Sequence, residues 1–189
     1  MNICVAGWYF HKPLLDVLAL CDYPVFYACH KDPPASISHE RYLVLPNRGL
    51  EFGCYQHYLS EHWKGGNVLF LHDDNEVTDA ALDQIAALSQ DQVFLFGGEA
   101  DVEANGRAHG RAFFCSDRLL ARLRDDGGFW YDEGPQTSVA VPATRADVPD
   151  YHNLGIGTFV AWLKALPGEF HVAQPLVIPG LKTGYRGRL

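Results

Sequence analysis

The segment Val68-Leu-Phe-Leu71 constrains this chain more than any other. Four consecutive large apolar side chains leave no polar face, so a strand made of them must be covered on both sides, as in a parallel sheet with helices on either face. The run stops abruptly at His72-Asp73-Asp74-Asn75-Glu76. Open α/β sheets bind their ligands beyond the carboxyl ends of their strands, so chemistry is expected at this boundary.

The flanking sequence repeats the same alternation. Ile3 to Ala6 reads as a strand that turns at Gly7, with a helix over Leu14 to Leu20 following Pro13. Val25 to Cys29 and Tyr42 to Leu45 are β-branched and aromatic runs, closed by Pro33-Pro34 and by Pro46-Asn47-Arg48-Gly49. Phe52, Tyr55, Leu59 and Trp63 recur at intervals of three and four, which predicts an amphipathic helix over Leu50 to Trp63, ended by Gly65-Gly66. Thr78 is placed to cap a helix carrying Leu82, Ile85, Ala86 and Leu88, and Val93 to Phe96 supplies another strand. Such alternation predicts one α/β domain with a mostly parallel, Rossmann-like central sheet flanked by helices.

The rhythm then changes. Residues 99–110 read as a polar loop or hairpin, Ala112 to Cys115 as a strand and Asp117 to Arg124 as a short helix. Beyond the turn at 125–128 come Phe129-Trp130-Tyr131-Asp132-Glu133-Gly134, a strand at Ser138 to Val141, a helix at Gly157 to Leu166, a strand near Pro175 to Ile178 and a basic tail. This divides the single domain into residues 1–98, 99–180 and a tail at 181–189.

With 189 residues the chain has material for one substantial core. A net charge of −8 argues against affinity for nucleic-acid backbones, which rests on clustered Lys and Arg. Five scattered cysteines, odd in number and without CxxC spacing, suggest neither a disulfide framework nor a zinc knuckle, and fit a reducing, cytoplasmic setting. No stretch reaches the 18 apolar residues of a membrane span, and the N-terminus lacks the basic region of a signal peptide.

Two adjacent carboxylates after a buried strand repel each other unless a cation or hydrogen-bond donors satisfy them. Hard oxygen ligands suit Mg²⁺ or Mn²⁺ bridging phosphates, so Asp73 and Asp74 fit a nucleoside diphosphate with its metal. Residue type alone equally supports a solvated turn whose Asp caps the next helix.

The stretch Leu69-Phe-Leu-His-Asp-Asp-Asn-Glu-Val-Thr-Asp-Ala-Ala-Leu-Asp-Gln-Ile85 resembles the acidic-motif segment of family 2 glycosyltransferases and other GT-A folds. Upstream, Pro46-Asn-Arg-Gly-Leu-Glu-Phe-Gly-Cys-Tyr55 is similar to the Asn-x-Gly segment that precedes that motif, in the same order. The resemblance covers residues 1 to 90 well, 91 to 140 faintly and the remainder poorly. It implies a GT-A fold whose first half, 1–98, binds a nucleotide-sugar donor and whose second half, 99–180, faces an acceptor. By it Asp74 holds the metal, Asp73 faces the ribose or donor sugar, Asn47 and Arg48 lie by the nucleotide, and Asp32 and Trp8 flank the base.

The same resemblance points to Asp132 and Glu133 as candidate general bases in an inverting transfer, with Trp130 and Tyr131 stacking on the acceptor. A carboxylate partly desolvated by rings has a raised pKa and suits that task, although a surface turn after core aromatics explains the same residues. Many GT-A enzymes complete the metal site with a late His. The similar segment here, Pro175-Leu-Val-Ile-Pro-Gly-Leu-Lys-Thr-Gly184, has Pro179 in that place, which leaves His152, His171, or phosphate and water. Lys182 and Arg186 in the tail are candidates to close over the phosphates.

The expectation is thus a metal-dependent glycosyltransferase using a nucleoside-diphosphate sugar, with the acceptor unidentified. The alternative is a non-catalytic GT-A-like module that binds a nucleotide or glycan. A phosphohydrolase or nucleotidyltransferase is disfavoured by the lack of a Walker-type or HxH cluster.

Overall fold

A computed structural model describes residues 1–37, 42–88, 92–96, 112–129, 159, 163, 171–172 and 176–183. Its strands are β1 (Asn2–Gly7), β2 (Val25–Cys29), β3 (Tyr42–Val44), β4 (Val68–His72), β5 (Gln92–Leu95), β6 (Ala112–Cys115) and the two-residue β7 (His171–Val172). Among the described residues they form one sheet in the order β3-β2-β1-β4-β6-β5-β7. The first four run parallel, with β1 paired to both β2 and β4. β6 lies antiparallel to β4 and to β5, and β7 runs parallel to β5, so β6 is the one reversed strand described. The sheet is mixed but mostly parallel, as the alternation of apolar runs predicts.

Among the helices of the described residues are α1 (Lys12–Leu20), α2 (Leu50–His57), α3 (Asp79–Ala86) and α4 (Asp117–Asp125). Pro13 occupies the first turn of α1, where its missing N–H costs no helical bond. The Thr78 side chain accepts from Ala81 N to start α3, and Ser116 accepts from Leu119 N to start α4.

Alternate residues of each strand enter opposite cores. Cys4, Ala6, Val68, Phe70, Phe113 and Cys115 pack on the side of α2 and α4 with Phe52, Tyr55, Leu59 and Leu120. Ile3, Val5, Leu69, Leu71 and Phe114 pack on the side of α1 and α3 with Leu14, Leu18, Leu82 and Ile85. Both faces of β4 are therefore dry, the condition its composition demands. Phe70 stacks on Phe113 at 4.8 Å between ring centroids and meets Tyr55 and Phe129 edge-on at 5.0 and 5.4 Å. Burying each such ring contributes about 1.5–3 kcal/mol.

Two expectations need correction. The helix predicted over Leu50 to Trp63 is α-helical only to His57 and continues as a π turn over Tyr58–His62, closed by Trp63 N donating to Tyr58 O. Trp63 leaves the helix, and its indole N–H donates to Gly66 O at 2.9 Å. Its burial with Phe52, Tyr55 and Leu59 nevertheless follows the predicted stripe. The strand expected near Pro175 to Ile178 is a single parallel bridge between Phe96 and Leu176; the short strand is β7. The predicted loop at 99–110 and strand at 138–141 lie outside the described residues, as does the helix at 157–166 apart from the two buried positions Phe159 and Leu163.

Candidate functional site

Because β1 to β4 run parallel, their carboxyl ends lie along one edge of the sheet. That edge collects Trp8, Tyr9 and Phe10 after β1, His30 to Asp32 after β2, Asn47 and Arg48 after β3, and Asp73 to Glu76 after β4. β1 and β4 are neighbours, so their two loops are in contact.

Asp73 forms that contact. Its carboxylate is fully buried and accepts three backbone bonds: Oδ2 from Trp8 N at 2.8 Å and from Phe10 N at 2.5 Å, Oδ1 from Tyr9 N at 3.0 Å. Its own amide donates to Ala6 O at 3.0 Å. The loop so held carries Phe10 in the left-handed region, at φ 56°, a conformation that costs a side-chain-bearing residue about 1–2 kcal/mol. The Phe10 ring is buried edge-on against Tyr42 at 5.2 Å, which helps to offset that cost.

Asp74 is buried too, but it faces differently. Its Oδ1 is 2.9 Å from His72 Nδ1, close enough to accept the ring proton. Burial of His72 works against its charged form. The hydrogen bond to Asp74 and the charges of Asp73, Asp74 and Glu51 outweigh that effect and raise its pKa. Above this pair stands Tyr9, 43% exposed, edge-on to the His72 ring at 5.5 Å. Asn75 Nδ2 donates to His72 O at 2.7 Å and keeps the turn tight.

At the ends of β2 and β3, the two ring nitrogens of His30 face Leu45 O at 3.4 Å and Leu50 O at 2.6 Å, tying together both ends of the connection into α2. Within that connection Gly49 and Leu50 both have positive φ, and the Arg48 carbonyl lies so close to α2 that a Cβ on Gly53 would overlap it. Arg48 is exposed and Asn47 half-buried. Asp32 is exposed, while the neighbouring Lys31 ammonium sits 4.6 Å from the centre of the Trp8 ring. A cation over an aromatic face contributes about 0.5–1 kcal/mol at an exposed site.

The described part of the C-terminal segment also reaches this edge. Glu76 and Lys182 exchange backbone bonds in an antiparallel bridge, and Thr78 N donates to Gly180 O. The Lys182 ammonium, 70% exposed, lies 3.1 Å from Glu76 Oε2, and His11 Nε2 is 3.6 Å from the other oxygen of the same carboxylate. Lys182 is thus brought beside the acidic turn. Trp130, Tyr131, Asp132, Glu133, His152 and Arg186 lie outside the described residues. The start of their segment is anchored, since Phe129 is buried among Phe52, Tyr55 and Phe113 and its amide donates to Gln56 Oε1 at 2.6 Å.

Two residues at this edge were legible only as helix stripe. Glu51 and Tyr55, four apart on α2, share a helix face. The Tyr55 hydroxyl is fully buried and has no hydrogen-bond partner among the described residues. Burial raises its pKa, and the fields of Glu51 and Asp74 act in the same direction. A buried donor without a partner is costly. The one sequence signal for Glu51 is its carboxylate within an otherwise buried stripe.

The donor set can be compared with the needs of a divalent cation. Mg²⁺ and Mn²⁺ that accompany nucleotides are bound through one or two carboxylates together with phosphate oxygens. Both oxygens of Asp73 are engaged by loop amides, and the equally buried Asp74 has Oδ1 beside His72 Nδ1. Among the described residues no group of three or more His, Cys, Asp or Glu side chains is arranged to hold a metal. A cation at this turn would therefore take most of its ligands from a bound molecule.

Compared with known proteins, the chain matches no family model and no curated sequence. Among solved structures it is similar to the glycosyltransferase GlyE of Streptococcus pneumoniae TIGR4, with a TM-score of 0.50 and 11% identity over 92% of this chain and 45% of GlyE. The apo form of GlyE gives a TM-score of 0.47 at 11% identity, over 84% of this chain and 42% of that one. A glycosyltransferase involved in glycosylation of the major capsid of PBCV-1 gives 0.46 at 13% identity, over 93% and 83%. The chain spans under half the length of the GlyE structure, and the likeness to it is one of fold. Among the described residues, no helix is long and apolar enough to cross a membrane.

Proposed function

We propose that this chain is a glycosyltransferase domain that binds a nucleoside-diphosphate sugar across the carboxyl ends of β1 to β4. The observation that carries this reading is the meeting of the Trp8–Phe10 loop, His72 and the buried Asp73-Asp74 pair at the ends of two adjacent parallel strands. A fold shared with GlyE is consistent with it.

In this reading Trp8 and Asp32 flank the base, and Asn47 and Arg48 lie along the nucleotide. A guanidinium is suited to both diphosphate pairing and ring stacking. Asp74 offers its carboxylate to Mn²⁺ or Mg²⁺, with His72 fixing one of its oxygens. When bound, the cation supplies positive charge to the departing diphosphate. Lys182 turns from Glu76 toward the phosphates, and Arg186 joins it. On the acceptor side Trp130 and Tyr131 stack on a sugar, and Asp132 or Glu133 takes the proton of the attacking hydroxyl, with inversion at the sugar carbon. The outer shell around Asp74 matters because a ligand's partners set its orientation.

The test is Asp74→Asn. Calorimetry with UDP or GDP in the presence of Mn²⁺ is expected to show Mn²⁺-dependent binding in the unaltered protein and its loss in the variant. The amide still accepts from His72, so the fold should persist, but with a lower melting temperature, because a buried charge that favours protonated His72 is removed. Affinities are therefore compared at a temperature where both proteins are folded. Equal affinity in both proteins would remove Asp74 from the site.

A further inference from the structure

Three successive amides, those of Trp8, Tyr9 and Phe10, converge on the one carboxylate of Asp73. Consecutive backbone N–H groups that turn toward a common point form a concave anion site. Here the anion is supplied by the chain itself, from the neighbouring strand. Oδ2 accepts two of these bonds and Oδ1 one, His72 Nδ1 lies 3.7 Å from Oδ1, and the group is fully buried, so the carboxylate is turned to the protein on both oxygens. The loop depends on this carboxylate. It contains a left-handed phenylalanine and presents Tyr9, one of the few large exposed rings among the described residues, together with the half-buried Trp8.

We propose that Asp73 is a positioning residue: it holds the Trp8–Phe10 loop in the shape that offers Trp8 and Tyr9 to a nucleoside diphosphate, and does not touch that ligand itself. The ligand part rests on the reading of the site given above; the loop part stands on the hydrogen bonds alone. The two adjacent acids therefore divide their work. Asp74 bonds His72 and Asp73 bonds the loop, although their residue type is the same. Asparagine at 73 keeps the size but offers one acceptor oxygen, and its NH₂ meets an amide donor, so at least one of the three bonds is lost.

Hydrogen exchange and calorimetry together test this. In the unaltered protein the amides of residues 8–10 should be protected, and should stay protected when the protein is saturated with UDP or GDP and Mn²⁺. In Asp73→Asn those amides should exchange about tenfold faster or more, and nucleotide affinity should fall about tenfold or more, with β1 and β4 still protected. Asp74→Asn should leave the exchange of residues 8–10 unchanged. The proposal is overturned if these amides are unprotected, or if ligand binding frees them, which would show the carboxylate leaving the loop for the nucleotide. It is also overturned if a folded Asp73→Asn loses affinity without faster exchange, or exchanges faster without losing affinity. Should that variant fail to fold, exchange in the unaltered protein with and without nucleotide decides the matter. If neither nucleotide binds the unaltered protein, the functional reading and the presentation of Trp8 and Tyr9 fall together, and exchange in Asp73→Asn still judges the loop clamp.

Discussion

Gly53→Ala tests how closely the Arg48 turn is seated on α2. A Cβ at this position would overlap the Arg48 carbonyl oxygen, reach its carbonyl carbon at 3.0 Å and stand 3.6 Å from His30 Cε1. The obstacle is backbone, so no side-chain rotation relieves it, and the turn must retreat on the order of 1 Å to restore van der Waals contact. Retreat is resisted on both sides, because Gly49 and Leu50 are fixed at φ 68° and 50° and His30 holds Leu50 O at 2.6 Å. Overpacking of this kind costs about 1–3 kcal/mol. For a chain of this size each kcal/mol lowers the melting temperature by about 2–4 °C, so a fall of roughly 2–12 °C is expected by calorimetric scanning. Displacing Asn47 and Arg48 should also weaken UDP or GDP binding. Gly127→Ala is the control. Its φ of 105° imposes strain but nothing lies within 4 Å of the added carbon, so stability should fall while affinity holds. A Gly53→Ala protein that melts within about 1 °C of the parent and binds nucleotide equally well would refute the close seating.

Three further outcomes are expected. If Asp132 or Glu133 is the general base, Asp132→Asn or Glu133→Gln should bind donor normally and lose turnover about 10²–10⁴-fold in steady-state kinetics; losses under about tenfold in both would count against them, and a protein that binds a donor without turning it over fits the module reading. Burial pushes the Cys29 thiol up to about 11, with the charges of Asp73 and Asp32 adding to it and a backbone hydrogen bond at Lys31 opposing, and burial holds Cys4, Cys54 and Cys115 well above the ordinary thiol value. A thiol whose pKa is raised by folding favours the fold while protonated, so the melting temperature should be flat at neutral pH and decline as pH rises through about 9 to 11. Iodoacetamide followed by peptide mass analysis at pH 8 should label the half-buried Cys21 well before the four buried cysteines.

Much of the fold was legible because its signals are local. Val68 to Leu71 declares itself as a strand with two dry faces, and Thr78 declares the start of α3 through one hydroxyl. Other features carry no local mark. Ala112 to Cys115 is buried along its whole length, and such a run reads alike in either direction, so the reversal of β6 is decided by tertiary pairing. The π turn at Tyr58–His62 has the same residue types as the α-helix it extends, and shows only in where Trp63 must go. At the site, Asp73 and Asp74 are indistinguishable by type; Asp73 is set by loop amides more than 60 residues away, and Asp74 by His72 two residues before it. Lys31 and Glu51 were obscure for the same reason, since their relation to Trp8 and His72 exists only once β1, β2 and β4 lie side by side.

The reversed β6 also sets an order of events during synthesis. Residues 1–72 contain β1 to β4, and β1 can pair with β2 and β4 as soon as they have emerged. The other side of β4 has no partner until Ala112–Cys115 leaves the ribosome some 40 residues later. Throughout that interval the most apolar strand of the nascent chain has a bare edge, the kind of surface on which unrelated chains pair and aggregate. The rate at which residues 73–111 are made therefore fixes how long the chain must be shielded, and slow codons in that stretch should lower the yield of folded protein more than the same codons placed after residue 115.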